Sequence, residues 1–337
     1  MKRIGIICPS EIAFRRFLPA LKEAGCFEYV GVAIASKEEF VGATDEILAK
    51  ERAKAQTFVD SYGGKIYEGY STLIHSDEVD AIYLPLPPGL HYKWAKEAVA
   101  AGKHILVEKP CTTALTTTED LLRDASVKGL AAHENYMFAF HDQLEAVNDI
   151  VRSGEIGDVR LYRISFGFPM RAQNDFRYNK ALGGGALLDC GGYTLKYASM
   201  LLGPTAQIKY AQSNNIDGFS VDMYGSAALV NAEGVTAQIA FGMDHNYKCE
   251  LEVWGSKGTI YTNRILTAPA GLVPEVVIRK GNEEEKRSLP ADDAFKKSIL
   301  HFCKCIEDAD TRKANYDSLL RQARLVEQFK HFASIDV

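Results

Sequence analysis

The sequence predicts an α/β protein in two parts. A parallel sheet wound with helices is expected over residues 1–122. A second α/β domain over residues 123–337 is expected to rest on an open, largely antiparallel sheet. Three observations carry this expectation. Short apolar runs alternate with helical periods through the first third of the chain. Later, between residues 207 and 262, strand-like segments follow one another without helices between them. The length, 337 residues, also exceeds one ordinary domain.

Taken in order, residues 3–8 read as a strand. Residues 12–23 read as a helix with Phe14, Phe17, Leu18 and Leu21 on one stripe. Residues 29–35 form a second strand. Residues 38–50 look like an acidic, then helical insertion. The helical period continues over 51–62 and stops at Gly63-Gly64, a C-terminal signal. A short helix over 70–76, a buried strand over 81–86 and the rigid turn Pro87-Pro88-Gly89-Leu90-His91 come next. A helix over 91–101 leads to a buried strand over 105–108. Thr116 is the expected N-cap of a helix over 117–128, and Glu119 would complete a capping box. A strand over 131–136 ends the alternation, whose order implies right-handed crossovers.

The second part opens with a helix over 139–153 and an alternating strand over 159–168. A loop over 169–181 holds Arg171, Asp175 and Arg177. The glycine run at 183–185 then leads into a helix that ends at Leu202. Strands are expected over 207–215, 222–231, 235–243, 250–254 and 259–262, with helices over 291–307 and 316–332. Such a sheet has one face for helices and one for a partner subunit.

Bulk properties exclude several classes. The chain is 47% hydrophobic and 25% charged, with a net charge of −5 and interspersed signs. That leaves no electrostatic footprint for nucleic acid or an anionic membrane. No apolar run reaches the roughly 18 residues of a membrane span. The opening residues read as a strand and lack a signal cleavage site. Seven scattered cysteines with no CxxC pair read as reduced thiols in a cytoplasmic protein, and no metal site is expected.

The chemistry gathers at strand ends. Glu108-Lys109-Pro110 closes the strand over 105–108, and ligands of open α/β sheets bind beyond such carboxyl ends. A lysine there can polarise or deprotonate a hydroxyl; equally, the pair simply solvates a strand end. The first strand-turn-helix is where a dinucleotide pyrophosphate would lie, against Pro9, Ser10, Glu11 and Ile12. Glycines of the usual GxGxxA fingerprint are replaced by Cys8 and Ser10. Ser10 either accepts the phosphate or caps the helix. The second strand ends in Ser36-Lys37, not in an acid, which favours NADP over NAD unless Lys37 is only a surface lysine. Asp189 and Tyr193, four apart, share a helical face: an acid/base pair, or a cap and a core residue.

The segments Glu108-Lys109-Pro110, Glu134 to His141, Gly154-Glu155-Ile156-Gly157 and Gly183 to Tyr193 occur in one order along the chain. In sequence and spacing they resemble the glucose–fructose oxidoreductase/inositol dehydrogenase (Gfo/Idh/MocA) family. With tyrosine at position 193, the chain resembles the tyrosine subgroup of xylose and dihydrodiol dehydrogenases. The resemblance implies a Rossmann domain followed by a sheet domain that makes a homodimer or homotetramer. It implies hydride transfer between NADP or NAD and a hydroxyl-bearing carbon of a sugar or polyol. Lys109, Asp189 and Tyr193 would be catalytic. Pro87, Leu90, His91 and Glu108 would line the cofactor, and Arg171 and Arg177 would contact substrate. The alternative is a regulatory protein on the same fold that binds a dinucleotide or sugar without turnover.

Overall fold

The computed structural model describes residues 1–40 and 42–335. They form two compact units. One comprises Met1–Asn135 and Phe295–Leu320; the other comprises Tyr136–Ala294 and the chain from Arg321 onward.

In the first unit, six parallel strands pair in the order β3-β2-β1-β4-β5-β6. They are β1 (Lys2–Ile7), β2 (Phe27–Ile34), β3 (Lys65–Glu68), β4 (Ala81–Leu84), β5 (His104–Val107) and β6 (Ala132–Glu134). Helices cover both faces, so the central strands are apolar without alternation. Ile82, Tyr83, Leu84, Ile105, Leu106 and Val107 are all fully buried. The strand order reverses at β1 and β4, which places a ligand crevice beyond their carboxyl ends. A single-turn π segment, Ala13–Phe17, precedes α1 (Leu18–Ala24). Then come α2 (Asp45–Tyr62), α3 (Tyr70–Ile74), α4 (Pro88–Ala100) and α5 (Leu115–Val127).

Several expectations are corrected here. Residue 122 lies inside α5, and β6 pairs with β5 in the parallel sheet, so the first unit runs on to Asn135. The helical part of the presumed insertion, residues 45–50, is the start of α2, which Thr44 caps by accepting a hydrogen bond from the Ile47 amide at 3.3 Å. Thr116 is not the N-cap of α5; Ala114 is. The hydroxyls of Thr117 and Thr118 donate back to the Ala114 carbonyl at 2.9 and 3.1 Å, which winds the helix two residues earlier. Strand β3 escaped notice because it is only four residues long, Lys65 to Glu68, with a charged residue at each end.

The second unit holds an eight-stranded sheet of order β14-β13-β12-β11-β7-β10-β9-β8. Its strands are β7 (Val159–Gly167), β8 (Gln207–Asn214), β9 (Tyr224–Val230), β10 (Thr236–Gly242), β11 (Lys248–Gly255), β12 (Thr259–Asn263), β13 (Glu275–Lys280) and β14 (Glu283–Ser288). Only the β7–β10 pair is parallel among those described. Burial alternates along β11, where Cys249, Leu251 and Val253 face inward while Trp254 stands out. Strands β13 and β14 were not expected. The latter reads Glu-Glu-Glu-Lys-Arg-Ser, a charged edge that carries no apolar signal.

The expected helix over 139–153 is a 3₁₀ turn, Met137–Phe140, followed by α6 (Asp142–Arg152). His141 caps it by accepting the Gln143 amide on Nδ1 at 3.1 Å. A π turn, Leu187–Gly191, leads into α7 (Gly192–Leu202). Helices α8 (Ala294–Glu307) and α9 (Ala309–Phe332) close the chain, and residues 295–320 of this stretch belong to the first unit. No helix among the described residues is long and apolar enough to cross a membrane.

Candidate active site

In the first unit, the residues expected at a cofactor follow β1, β2, β4 and β5 in the chain. Past β1, Cys8 adopts a left-handed backbone, φ +73°, which glycine takes without strain and cysteine does not. Its amide donates to the Ala33 carbonyl at 3.0 Å, and its carbonyl accepts the Ser10 amide at 2.8 Å. The turn therefore keeps a glycine-type course without the glycine. Ser10 Oγ accepts the Ala13 amide at 3.2 Å, so the capping role is realised. Glu11 pairs with Arg15 at 2.6 Å, and Ile12 stands 39% exposed at this turn. Burial pushes the Cys8 thiol up to about 12, aided by Glu51, so it is no nucleophile at neutral pH.

Beyond β2, the Ser36 amide donates to Glu39 Oε2 at 2.9 Å. The same carboxylate accepts the amides of Tyr70 and Ser71, both at 2.8 Å, and so ties this loop to the start of α3. Ser36 Oγ donates to Glu38 at 2.8 Å, and Lys37 pairs with Asp45 at 2.6 Å. Beyond β4, Pro87 stands at the N-cap of α4 and Leu90 is half-buried. His91 departs from its expected place against the cofactor: it is fully buried. Its Nδ1 lies 2.8 Å from the Pro110 carbonyl and its Nε2 lies 2.7 Å from the Leu86 carbonyl. It thus clasps the turn after β4 to the turn after β5. Burial, offset in part by these carbonyls, holds the ring down at about 4, with the Lys109 charge acting in the same sense.

Glu108 and Lys109 follow β5. Glu108 Oε1 accepts the Tyr83 hydroxyl at 2.6 Å and the Asn135 amide nitrogen at 2.7 Å. Burial raises this carboxyl above its ordinary value; Tyr83, Asn135 and Lys109 pull against that.

In the second unit, Asp189 lies in the π turn and Tyr193 in the first turn of α7. Asp189 Oδ2 accepts Arg177 Nε at 2.6 Å, and Arg177 Nη1 donates to Asp175 at 3.1 Å. Arg177 is therefore a clamp on Asp189, with its guanidinium over the Phe176 ring at 4.6 Å. The Tyr193 ring is set by three others: Tyr136 at 5.1 Å and 90°, Phe166 at 5.4 Å and Phe138 at 5.6 Å. Gly192 permits this. A Cβ there would fall 2.1 Å from the Tyr136 hydroxyl. Gly185, at φ +119°, has a similar role, since a Cβ would fall 2.2 Å from Asp222 Oδ1. Asp222 accepts the Leu187 amide at 2.7 Å and so pins the start of the π turn. Arg171 is exposed; its amide donates to the Tyr178 hydroxyl at 2.8 Å and its guanidinium covers Phe168 at 5.2 Å.

Residues 3–136 match the family described as an oxidoreductase family with an NAD-binding Rossmann fold, and residues 144–261 match the GFO/IDH/MocA C-terminal domain. The chain belongs to the GFO/IDH/MocA family. It is 38% identical over 325 residues to a dTDP-3,4-didehydro-2,6-dideoxy-alpha-D-glucose 3-reductase of Actinomadura kijaniata, covering 96% of this chain and 93% of the relative. It is 25% identical over 325 residues to D-xylose 1-dehydrogenase (NADP(+)) 2 of Haloferax volcanii, covering 96% and 94%. The crystal structure of a 3-ketoreductase from Actinomadura kijaniata, in complex with NADP and TDP-benzene, superposes with a TM-score of 0.90. It is 37% identical, with coverage of 98% and 97%.

As a GFO/IDH/MocA member the chain is an NAD(P)-dependent oxidoreductase acting on sugar carbons. The residues present fit a dinucleotide. The left-handed Cys8 reproduces the glycine turn at the strand-order reversal, the helix after it begins at Ser10, and no acid ends β2. Sequence reasoning missed Tyr136, Phe138 and Phe166 around Tyr193, and it missed Asp222 and Glu39. Tyr136 and Phe138 lay inside the Glu134–His141 segment already singled out. Asp222 and Glu39 act through backbone amides distant in sequence, and no local pattern marks them.

Proposed function

We propose that this chain is an NADPH-dependent reductase of a keto group on a deoxyhexose carried by a nucleoside diphosphate. The observation that carries it is the chain-long likeness to the dTDP-sugar 3-reductases, joined to one detail of the related crystal structures. In that 3-ketoreductase a lysine and a tyrosine have each been replaced, and they are separated by the same number of residues as Lys109 and Tyr193 are here.

In this reading the nicotinamide supplies hydride when bound. Pro9, Ser10, Glu11 and Ile12 face the pyrophosphate, and Ser36 and Lys37 receive a 2′-phosphate. Pro87, Leu90 and Glu108 border the nicotinamide half. Lys109 polarises the sugar carbonyl, and the Tyr193 hydroxyl donates the proton to its oxygen. Asp189 orients that phenol and Arg177 fixes Asp189. Arg171 meets the anionic part of the substrate. A second copy of the chain covers the outer face of the eight-stranded sheet, where Tyr210, Tyr224 and Trp254 are exposed and Arg163 lies over Trp254 at 5.4 Å. The enzyme works in the cytoplasm.

The test is NADPH consumption with a dTDP-linked 3-keto-deoxyhexose, set beside free aldoses such as xylose with NADP. Turnover of the nucleotide sugar that Lys109→Ala abolishes is expected. Turnover of the free aldose alone would replace this reading with a sugar dehydrogenase. Tight NADPH binding with no turnover of any substrate would leave a sensor.

A further inference from the structure

In the second unit a row of aromatic rings leads away from the Tyr193 phenol. Phe166 lies 5.4 Å from Tyr193, and Phe168 lies 6.0 Å from Phe166. The two phenylalanines are two apart along one strand, so they share a face and the row runs outward past the end of β7. There the Arg171 guanidinium covers Phe168 at 5.2 Å. Gly167 pairs with Lys248 in the antiparallel β7–β11 ladder, so the chain entering β11 runs beside Phe168. That chain carries Tyr247. Its hydroxyl meets Thr267 Oγ1 at 2.8 Å, and Thr267 bonds to the buried Cys249 at 3.3 Å, which puts Tyr247 on the core side of the sheet. The Arg264 guanidinium, one residue past β12, covers the Tyr247 ring at 4.5 Å. Two arginine–aromatic stacks thus stand on neighbouring chain ends at one edge of the sheet.

Both arginines lack the partner that arginine finds elsewhere in this unit. Arg152, Arg160, Arg163, Arg177, Arg279 and Arg287 each face a carboxylate. Among the described residues, Arg171 and Arg264 face none, and both are exposed. A guanidinium lying on a ring keeps its edge N–H groups for another acceptor, with its plane already set. Arg264 is also held at a cost. Its backbone is left-handed, φ +54°, a shape that a side chain resists. The fully buried Gln143 secures it, with Nε2 donating to the Arg264 and Ile265 carbonyls at 3.4 and 3.2 Å. A strained backbone that presents an uncompensated cation is placed for an anion.

We infer that Arg171 and Arg264 grip between them the diphosphate of a nucleoside diphosphate sugar, and that Arg264 sets the preference for a nucleotide-linked sugar over a free one. With the keto carbon at Tyr193, the sugar ring lies along Phe166 and the diphosphate follows toward Phe168. A planar, forked guanidinium meets a phosphate edge with two parallel N–H···O bonds, and two such forks suit two phosphates. A free aldose at Tyr193 has no anion to offer either arginine. The substrate class rests on the reductase reading; the grip of the two arginines on a diphosphate is measured without turnover.

The test is calorimetric titration of dTDP, and of UDP beside it, into the NADP-loaded protein. NADP fills the dinucleotide site, which leaves the nucleoside diphosphate to the substrate site. Binding of at least one of the two by wild type is expected. Arg264→Gln is expected to weaken that binding by about tenfold or more, with its affinity for NADP unchanged. Arg264→Lys keeps the charge but not the fork; it is expected to recover only part of the loss and stands in if Arg264→Gln does not fold. Tyr247→Leu, which removes the ring under Arg264, is expected to weaken binding severalfold. If wild type binds a nucleoside diphosphate and both Arg264 variants bind it equally well, the inference is overturned and the reductase reading stands. A wild type that binds neither dTDP nor UDP would overturn both.

Discussion

Arg177 Nε lies 2.6 Å from Asp189 Oδ2, with the two side chains 20% and 13% exposed. The residue expected to meet substrate thus holds the expected catalytic carboxylate. Asp175 shares the same guanidinium, so two anions share one cation. Arg177→Leu leaves both without it in a half-dry setting, at a cost on the order of 2–4 kcal/mol. Urea unfolding checks the cost. Arg177→Lys recovers little, since a point charge cannot fork between two carboxylates.

Gly192→Ala places a methyl where the Tyr136 hydroxyl now sits, 2.1 Å away. Tyr136 must swing, and the edge-on ring contact that sets Tyr193 goes with it. A stability loss of about 1–3 kcal/mol is expected, as for an overpacked core. Reductase turnover is expected to fall while cofactor binding, followed by nicotinamide fluorescence, is unchanged. Loss of cofactor binding together with turnover would contradict this account.

Asp222 gives the pH dependence a defined sign. Burial lifts its carboxyl from 3.8 to about 6, against the hydrogen bonds from the Leu187 and Asp222 amides. The folded value exceeds the unfolded one. The stability it contributes is therefore complete below about pH 4 and is lost as pH rises through 6. Asp222→Asn removes that loss. The melting temperature of the variant relative to wild type is expected to be more favourable at pH 7 than at pH 4.5. His91 has the opposite sign, since its folded value, about 4, lies below 6.5. Its contribution is present above pH 6.5 and is lost as pH falls through 4. His91→Gln should flatten the acid side of the wild-type curve.

Cys8 holds a backbone shape that a side chain resists, at φ +73°. Cys8→Gly relieves it and is expected to gain about 1 kcal/mol in urea unfolding. Cys8→Val is expected to lose more than that and to weaken NADPH binding. Equal stability of all three proteins would mean that the turn carries no strain.

Period and punctuation were enough for the parallel strands and most helices, because β4 and β5 are unbroken apolar runs between turn signals. They failed at β3, only four residues long with charged ends, and at β14, whose charged residues are mostly exposed. They failed again at α5, where three neighbouring threonines offered rival caps and the hydroxyls of two of them bond back to the Ala114 carbonyl instead. At the site, Lys109, Asp189 and Tyr193 stand in local segments with recognisable spacing. What holds them does not. Glu39 reaches Tyr70, Asp222 reaches Leu187 and Ser298 reaches Asn135 across long stretches of chain. Such pairings follow from the folded path and leave no periodic trace.

The return of residues 295–320 to the first unit affects how the protein is made. A ribosome releases Met1–Asn135 first, yet Ser298 and Asn315, which close over His133, arrive about 160 residues later. At 5–20 residues per second that is a wait of roughly 8–30 s. During this interval the nascent sheet carries a buried polar cluster without its partners, while the second unit is already complete enough in sequence to begin folding. The amino-terminal half is thus the last to be finished, and stop codons anywhere before residue 320 deprive the first unit, not only the second.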